Sequence, residues 1–182
     1  MGTACGRERR STVTSGPIRQ RRRLALALLC ASQFMVVLDA SIITVALPSI
    51  GADLKISQND LSWVFNAYVL TFGCFLLLGG RLADLFGRRR VFILGLLLFT
   101  VASLVGGFSG SEAVLIPARA AQGLGAATVS PAALSIVTQA FRDGAERNRA
   151  LGIWGAVAGS GGTAGALLGG VLTQGLGWEW VL

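Results

Sequence analysis

Two charged residues stand inside long apolar runs, and their types and positions give them the capacity for chemistry. Asp39 is flanked by Val36-Val37-Leu38 and Ile42-Ile43, and Arg119 by Pro117-Ala118 and Ala120-Ala121. A carboxylate near mid-bilayer costs at least about 2.5–3.5 kcal/mol on insertion scales. A cationic partner, a water-filled cavity or protonation of the acid makes it tolerable. Each of these is also what a proton-coupled carrier requires; the plainer reading is an ion pair that merely holds two helices together. Asp39 lies about eight residues from the Pro48 end of its run and Arg119 about five from the start of its own, so at ~1.5 Å per residue their depths differ by only several ångströms. An arginine side chain covers that gap. The two are expected to face a common polar cavity.

Other chemistries find less support. With no histidine, and with Cys5, Cys30 and Cys74 lacking CxxC spacing, a zinc site or disulfide scaffold is excluded, and the cysteines read as small buried hydrophobes. The segment Gly159–Gly165 has the look of a nucleotide loop but lacks the GK(S/T) of a P-loop and the third glycine of G-x-G-x-x-G. Its glycines instead form helical stripes. Gly152, Gly155, Gly159, Gly162, Ala166 and Gly169 alternate by three and four, and Gly161, Gly165 and Gly169 repeat by four. Glycine weakens a helix by about 1 kcal/mol relative to alanine. In a membrane such density suits close backbone approach of a second helix, as static packing or as a seam that slides. The connection Gly80-Arg-Leu-Ala-Asp-Leu-Phe-Gly-Arg-Arg-Arg90 places Asp84 four residues from Arg88, one turn apart, and Gly87 permits a sharp turn. Anchoring by positive charge explains its arginines, but neither Asp84 nor the two glycines.

The elements that must position these residues follow from composition. Apolar residues make up 53% of the chain, charged residues only 14%, and mean hydropathy is +0.65, which excludes a disordered or ordinary soluble chain. Residues 1–23 read as a flexible basic tail, with seven arginines against Glu8. Five charge-poor spans follow at about 24–48, 61–80, 91–111, 113–141 and 150–176. Each meets the roughly 20 residues that ~30 Å of hydrocarbon asks of a helix, so residues 24–182 form an all-α integral membrane bundle. Trp178-Glu-Trp180 and the apolar residues after it read as the outer mouth of a sixth span, so the chain reads as a fragment. The long first span, with no A-x-A site, argues against a cleaved signal peptide.

Fifteen of the sixteen basic residues are arginine, and they gather between spans rather than along one face, which speaks for a membrane protein and against nucleic acid. The tail, the second-to-third connection (Arg81, Asp84, Arg88, Arg89, Arg90) and the fourth-to-fifth (Arg142, Asp143, Glu146, Arg147, Arg149) are net positive. The alternate connections, with Asp53, Lys55 and Asp60, then Glu112, then Glu179, are net negative. The positive-inside rule therefore places the N-terminus in the cytoplasm of a multi-pass plasma-membrane protein. The tail's place beside a span suits contact with lipid.

Four stretches together resemble signatures of the major facilitator superfamily, specifically its drug:proton antiporter branch with fourteen spans. The loop at residues 80–90 is similar to the pattern G-x-L-a-D-r-x-G-r-(K/R), matched at Gly80, Leu82, Ala83, Asp84, Gly87, Arg88 and Arg89, with Leu85 in place of a basic residue. Leu38-Asp-Ala-Ser-Ile-Ile-Thr-Val-Ala-Leu-Pro48 resembles the first-span L-D-x-T-I-V-N-V-A-L-P. Residues 115–127 match the fourth-span l-x-x-x-R-x-x-q-G-x-g-a-a. Gly152, Gly161, Gly165, Gly169 and Gly170 fit the spacing of the antiporter motif g-x8-G-x3-G-P-x2-G-G, with Ala166 where proline is expected. Trp178-Glu-Trp180 is similar to the branch's W-R-W, with the charge reversed.

The resemblance implies the N-terminal half of a major facilitator helical bundle, five spans plus the start of a sixth. It implies alternating access: two halves rock about a central small-molecule site while protons drive export of drugs or other small amphipathic compounds. On that reading Asp39 and Arg119 couple to protons, residues 84–90 form a gate element and the fifth-span glycines a moving seam. No covalent chemistry is implied, and neither cofactor, metal nor protein partner. The missing proline keeps a proton-symporting importer as one alternative. A truncated remnant that inserts but transports nothing is the other.

Overall fold

The computed structural model describes residues 16–141, 144–175 and 177–181. It contains five helices: α1 (Gly16–Asp53), α2 (Gln58–Phe86), α3 (Arg88–Gly107), α4 (Glu112–Ala140) and α5 (Gly144–Gly175). A 3-10 turn over Trp178–Val181 follows. All five helices are long and apolar enough to cross a membrane. There is no strand among the described residues.

Three features of the sequence reading are refined by the structure. Helix α1 begins at Gly16, so residues 16–23, assigned above to a flexible tail, are its first turns, and residues 1–15 lie outside the described set. The segment read as the mouth of a sixth span is, over residues 178–181, a 3-10 turn. Trp178 within it is buried, and its indole N–H donates to the Asp53 carboxylate at 2.9 Å, tying the end of α1 to the residues after α5. Cys74 is exposed while Cys30 is buried, and both are free thiols. Apolar surroundings in sequence identify a span but not which side of the helix meets a neighbour.

Local chemistry explains the turns. At the start of α2 the Ser57 hydroxyl accepts the Asp60 N–H at 3.2 Å and donates to the Asp60 carboxylate at 2.6 Å, an N-cap of the Ser-x-x-acid kind. Between α2 and α3 only Gly87 is non-helical. Its φ of +92° is a region side chains avoid, so glycine makes this one-residue reversal possible.

Helix α4 is the buried centre, packed against α2 and α3, while α1 packs along α5. At one end Ile50, Leu61, Leu115, Trp178 and Val181 share a core. At the other, Leu29, Ala133, Val137 and Ala150 form one cluster and Ala83, Val91 and Ala132 another. Helices α1, α3 and α5 therefore run one way and α2 and α4 the other. Exposed arginines 22, 23, 81, 89, 90, 147 and 149 gather at the second end. Leu77, Leu94, Leu167 and Val171 point outward, more than half exposed, as lipid-facing residues do.

Backbones meet where glycines allow it. A Cβ on Gly165 would lie 2.7 Å from Ser41 Cβ and 2.9 Å from the Leu38 carbonyl, and one on Gly161 would lie 3.1 Å from the Phe34 carbonyl. Gly169 meets Ile42 and Val45 in the same way. The four-residue repeat thus lies against α1, whereas Gly152, Gly155, Gly159 and Gly170 have nothing within 4 Å. Equally tight glycines that the sequence reading passed over are Gly79 and Gly123 between α2 and α4, and Gly95 and Gly125 between α3 and α4. Replacing Gly165 by alanine gains up to about 1 kcal/mol in helix propensity but forces a methyl group onto a backbone that cannot step aside, at about 1–3 kcal/mol. Crowding wins. Thermal unfolding of the detergent-solubilised protein should show Gly165→Ala destabilised and Gly170→Ala unchanged or slightly stabilised.

Candidate functional site

Asp39 and Arg119, eighty positions apart in sequence, form a buried ion pair. The guanidinium Nη1 donates to Asp39 Oδ2 at 2.8 Å, with Arg119 completely buried and Asp39 5% exposed. Gln122, one turn along α4, closes the cluster: its Oε1 accepts from the same Nη1 at 2.9 Å and its Nε2 donates to Asp39 Oδ1 at 3.2 Å. Both carboxylate oxygens thus have a donor, as a buried acid requires.

Helix α2 supplies the rest of the cradle. Arg119 Nε donates to the Val64 carbonyl at 3.3 Å, and its guanidinium carbon lies 4.6 Å from the centroid of the Tyr68 ring. Cation and ring face attract most strongly when desolvated. The Tyr68 hydroxyl donates to the Val36 carbonyl at 3.2 Å, so the ring also bridges to α1, and Phe72 stacks on it at 6.2 Å. Arg119 Nη2 is buried and has no partner among the described residues. The two N–H groups of that nitrogen are thus without an acceptor among the described residues.

Asp39 also borders a cavity of about 280 Å³ between α1 and α3, lined by Met35, Leu38, Phe99, Thr100, Ser103 and Leu104 and reached by Val181. Asp39 and Arg119 do not share this cavity: Arg119 is absent from its lining, and the two residues instead meet by direct contact. Sequence reasoning assigned no role to Tyr68, to the Val64 carbonyl or to Gln122, although Gln122 stands in the fourth-span pattern. The signal available was the three-residue step from Arg119 to Gln122, which puts both on one face of α4.

The remaining candidates lie elsewhere. Asp84 and Arg88 pair at 3.2 Å on the exposed surface beside Gly87, and Arg89 points outward. A Cβ on Gly80 would only touch Pro131, at 3.8 Å; its neighbour Gly79 makes the tight contact with α4. Gly161, Gly165 and Gly169 sit on α1, with Gly165 against Leu38 and Ser41, immediately beside Asp39. A Cβ on Gly152 or Gly170 would meet nothing within 4 Å.

Comparison with known proteins agrees with this architecture. Residues 29–182 match the profile of the Major Facilitator Superfamily. The chain is 54% identical over 158 residues to the cephamycin export protein CmcT of Amycolatopsis lactamdurans, covering 87% of this chain and 32% of that protein. It is 48% identical over 162 residues to the puromycin resistance protein pur8 of Streptomyces alboniger, covering 89% and 32%. It thus spans about a third of the length of these curated relatives. Among solved structures, a bacterial homologue of the human lysosomal transporter Spinster, inward-facing and occupied, superposes with a TM-score of 0.72 at 26% identity, over 90% of this chain and 35% of that one. The five-helix bundle, the family profile and these relatives agree that the chain belongs to the Major Facilitator Superfamily of membrane transporters.

Proposed function

We propose that this chain belongs to a proton-driven exporter of small amphipathic compounds, set in the plasma membrane with its arginine-rich helix ends in the cytoplasm. The observation that carries the reading is the acid–guanidinium–amide cluster sealed in the apolar interior. The names of the relatives support the outward direction, and the gathering of arginines at one end of the bundle supports the orientation.

The physical logic is electrostatic. While Asp39 is ionised, Arg119 replaces the water that the carboxylate has lost, and α1 and α4 are held together. A proton arriving on Asp39 cancels the Coulomb attraction, which a low-dielectric interior makes strong. The guanidinium then keeps Gln122 Oε1, the Val64 carbonyl and the Tyr68 ring but lacks a counter-charge. That change loosens α1 from α4 beside the close contact of Gly165 with Leu38 and Ser41. A cycle of alternating access would use the proton to move the helices and the return of the pair to reset them. The Asp84–Arg88 pair ties the α2–α3 turn at the cytoplasmic end, where a gate would act.

The test uses the protein as its gene encodes it, in proteoliposomes holding a pH indicator, with puromycin and cephamycin as probes. Addition of a transported probe should drive proton movement in the wild type and none above background in Asp39→Asn, while exchange of labelled probe without a gradient persists. Proton movement at the wild-type rate in Asp39→Asn would overturn the assignment. Arg119→Ala leaves a buried acid uncompensated and should cost about 3–5 kcal/mol of stability, largely recovered by adding Asp39→Asn. Thermal unfolding of the two variants measures this.

A further inference from the structure

On the arginine-rich side of the ion pair, three polar atoms are buried with no partner among the described residues: Gln33 Oε1 on α1, Ser130 Oγ on α4 and Trp154 Nε1 on α5. Gln33 is 7% and Ser130 8% exposed. Packing places Gln33 and Ser130 at one level of the bundle, with Trp154 about one turn below. Val36 packs with Ala126 and Val129, and Leu29 with Ala133 and Val137, so in these antiparallel helices Gln33 lies opposite Ser130. Helix α5 runs parallel to α1, with Gly161 beside Phe34 and Val37, and Trp154 joins the Leu29–Ala133–Ala150 cluster about one turn lower. Ser130 shares a face of α4 with Ala126, Ala133 and Val137, and Gln33 a face of α1 with Leu29, Val36 and Ala40. All three residues therefore lie in the α1/α4/α5 junction.

Nearly every buried polar atom in a folded protein has a partner. Three exceptions on three neighbouring helices point to a common ligand. Their capacities are complementary: the amide oxygen accepts, the indole N–H donates and the hydroxyl does either. A buried water makes about three hydrogen bonds, and this trio offers that number. Among the described residues no charged side chain is placed with them, which suits water better than an ion or an acidic ligand.

Resting on the proton-coupled reading above, we infer that Gln33, Ser130 and Trp154 form a water-binding site through which the proton leaves Asp39 toward the arginine-rich end. The atoms are sealed as the helices stand, so water enters when α5 shifts along its glycine contact with α1, and the proton path opens only in that state. Gln33 is six residues from Asp39, roughly 9 Å along the helix, a span that two or three hydrogen-bonded waters bridge. The Asp39 carboxyl gives its proton to the nearest water, each water passes one on, and the last delivers it to bulk solvent, leaving the carboxylate paired with Arg119. Nothing else is consumed.

The test has two parts, both on the protein as its gene encodes it. Radiolytic hydroxyl labelling in ¹⁸O-water should mark the half-buried Trp154 indole, whose Nε1 is sealed, and Gln33→Leu combined with Ser130→Ala should lower the mark at least severalfold. In proteoliposomes that double variant should slow probe-driven proton movement by about tenfold, the rate equivalent of one missing hydrogen bond, with probe affinity within about twofold of wild type. Ser130→Thr, which keeps the hydroxyl, should retain the wild-type rate. An unmarked Trp154, or a double variant with wild-type proton movement, overturns the inference. Failure of the coupling reading itself is separate: it shows as unaltered proton movement in Asp39→Asn, whatever the labelling of Trp154.

Discussion

A carboxylate loses its water when it enters hydrocarbon, and the protein must replace that water group by group. Around Asp39 the replacement comes from three helices: Arg119 and Gln122 on α4, the Val64 carbonyl and Tyr68 ring beneath Arg119 on α2, and α1 itself, which accepts the Tyr68 hydroxyl. Removing any one partner leaves a buried charge short of its compensation, which is more costly than never having buried the pair. The cluster thus sets the register of α1 against α4 and of α4 against α2. On the proposed coupling, a site with that much at stake would respond sharply to a single proton, which is what a carrier would use.

Away from the cluster, cohesion comes from a different source. Lipid tails are as apolar as leucine, so burying leucine between helices gains little, and close approach of backbones does the work instead. Gly79 and Gly123 bring α4 to α2, Gly95 and Gly125 bring it to α3, and Gly161, Gly165 and Gly169 bring α5 to α1. Val37, Ser41, Ile42 and Val45 of α1 seat on the α5 glycines, and this contact lies directly beside Asp39. On the proposed reading, the group that senses charge and the helices that move are neighbours.

Much of this was legible in the residues. Five long apolar runs, two of them with a single charge inside, read as membrane helices, and a lone acid and a lone arginine at similar depths pointed to a shared polar surrounding, though not to their direct contact. Gly87 marked the turn between α2 and α3 because a reversal between adjoining helices needs a residue at ease with positive φ. Tyr68, Val64 and Gln122 were harder to read, because neutral residues within apolar runs resemble filler until a charge is placed against them. The two glycine stripes of α5 also looked equivalent. In a bilayer both faces of a helix are apolar, so hydropathy does not separate the side that meets protein from the side that meets lipid, and only the packing against α1 selects Gly161, Gly165 and Gly169. Cys74 escaped for the same reason, since its neighbours in sequence are apolar on every side while its face of α2 is open.

The claim on which the rest depends is that Asp39 changes protonation during the working cycle rather than serving as a fixed bolt between α1 and α4. Infrared difference spectroscopy of the reconstituted protein, with and without a transported probe, addresses this directly. The account predicts a carboxylic-acid C=O band that exchanges with a carboxylate band on probe binding and is missing from Asp39→Asn. A carboxylate at position 39 that stays ionised in every state of the cycle would contradict it.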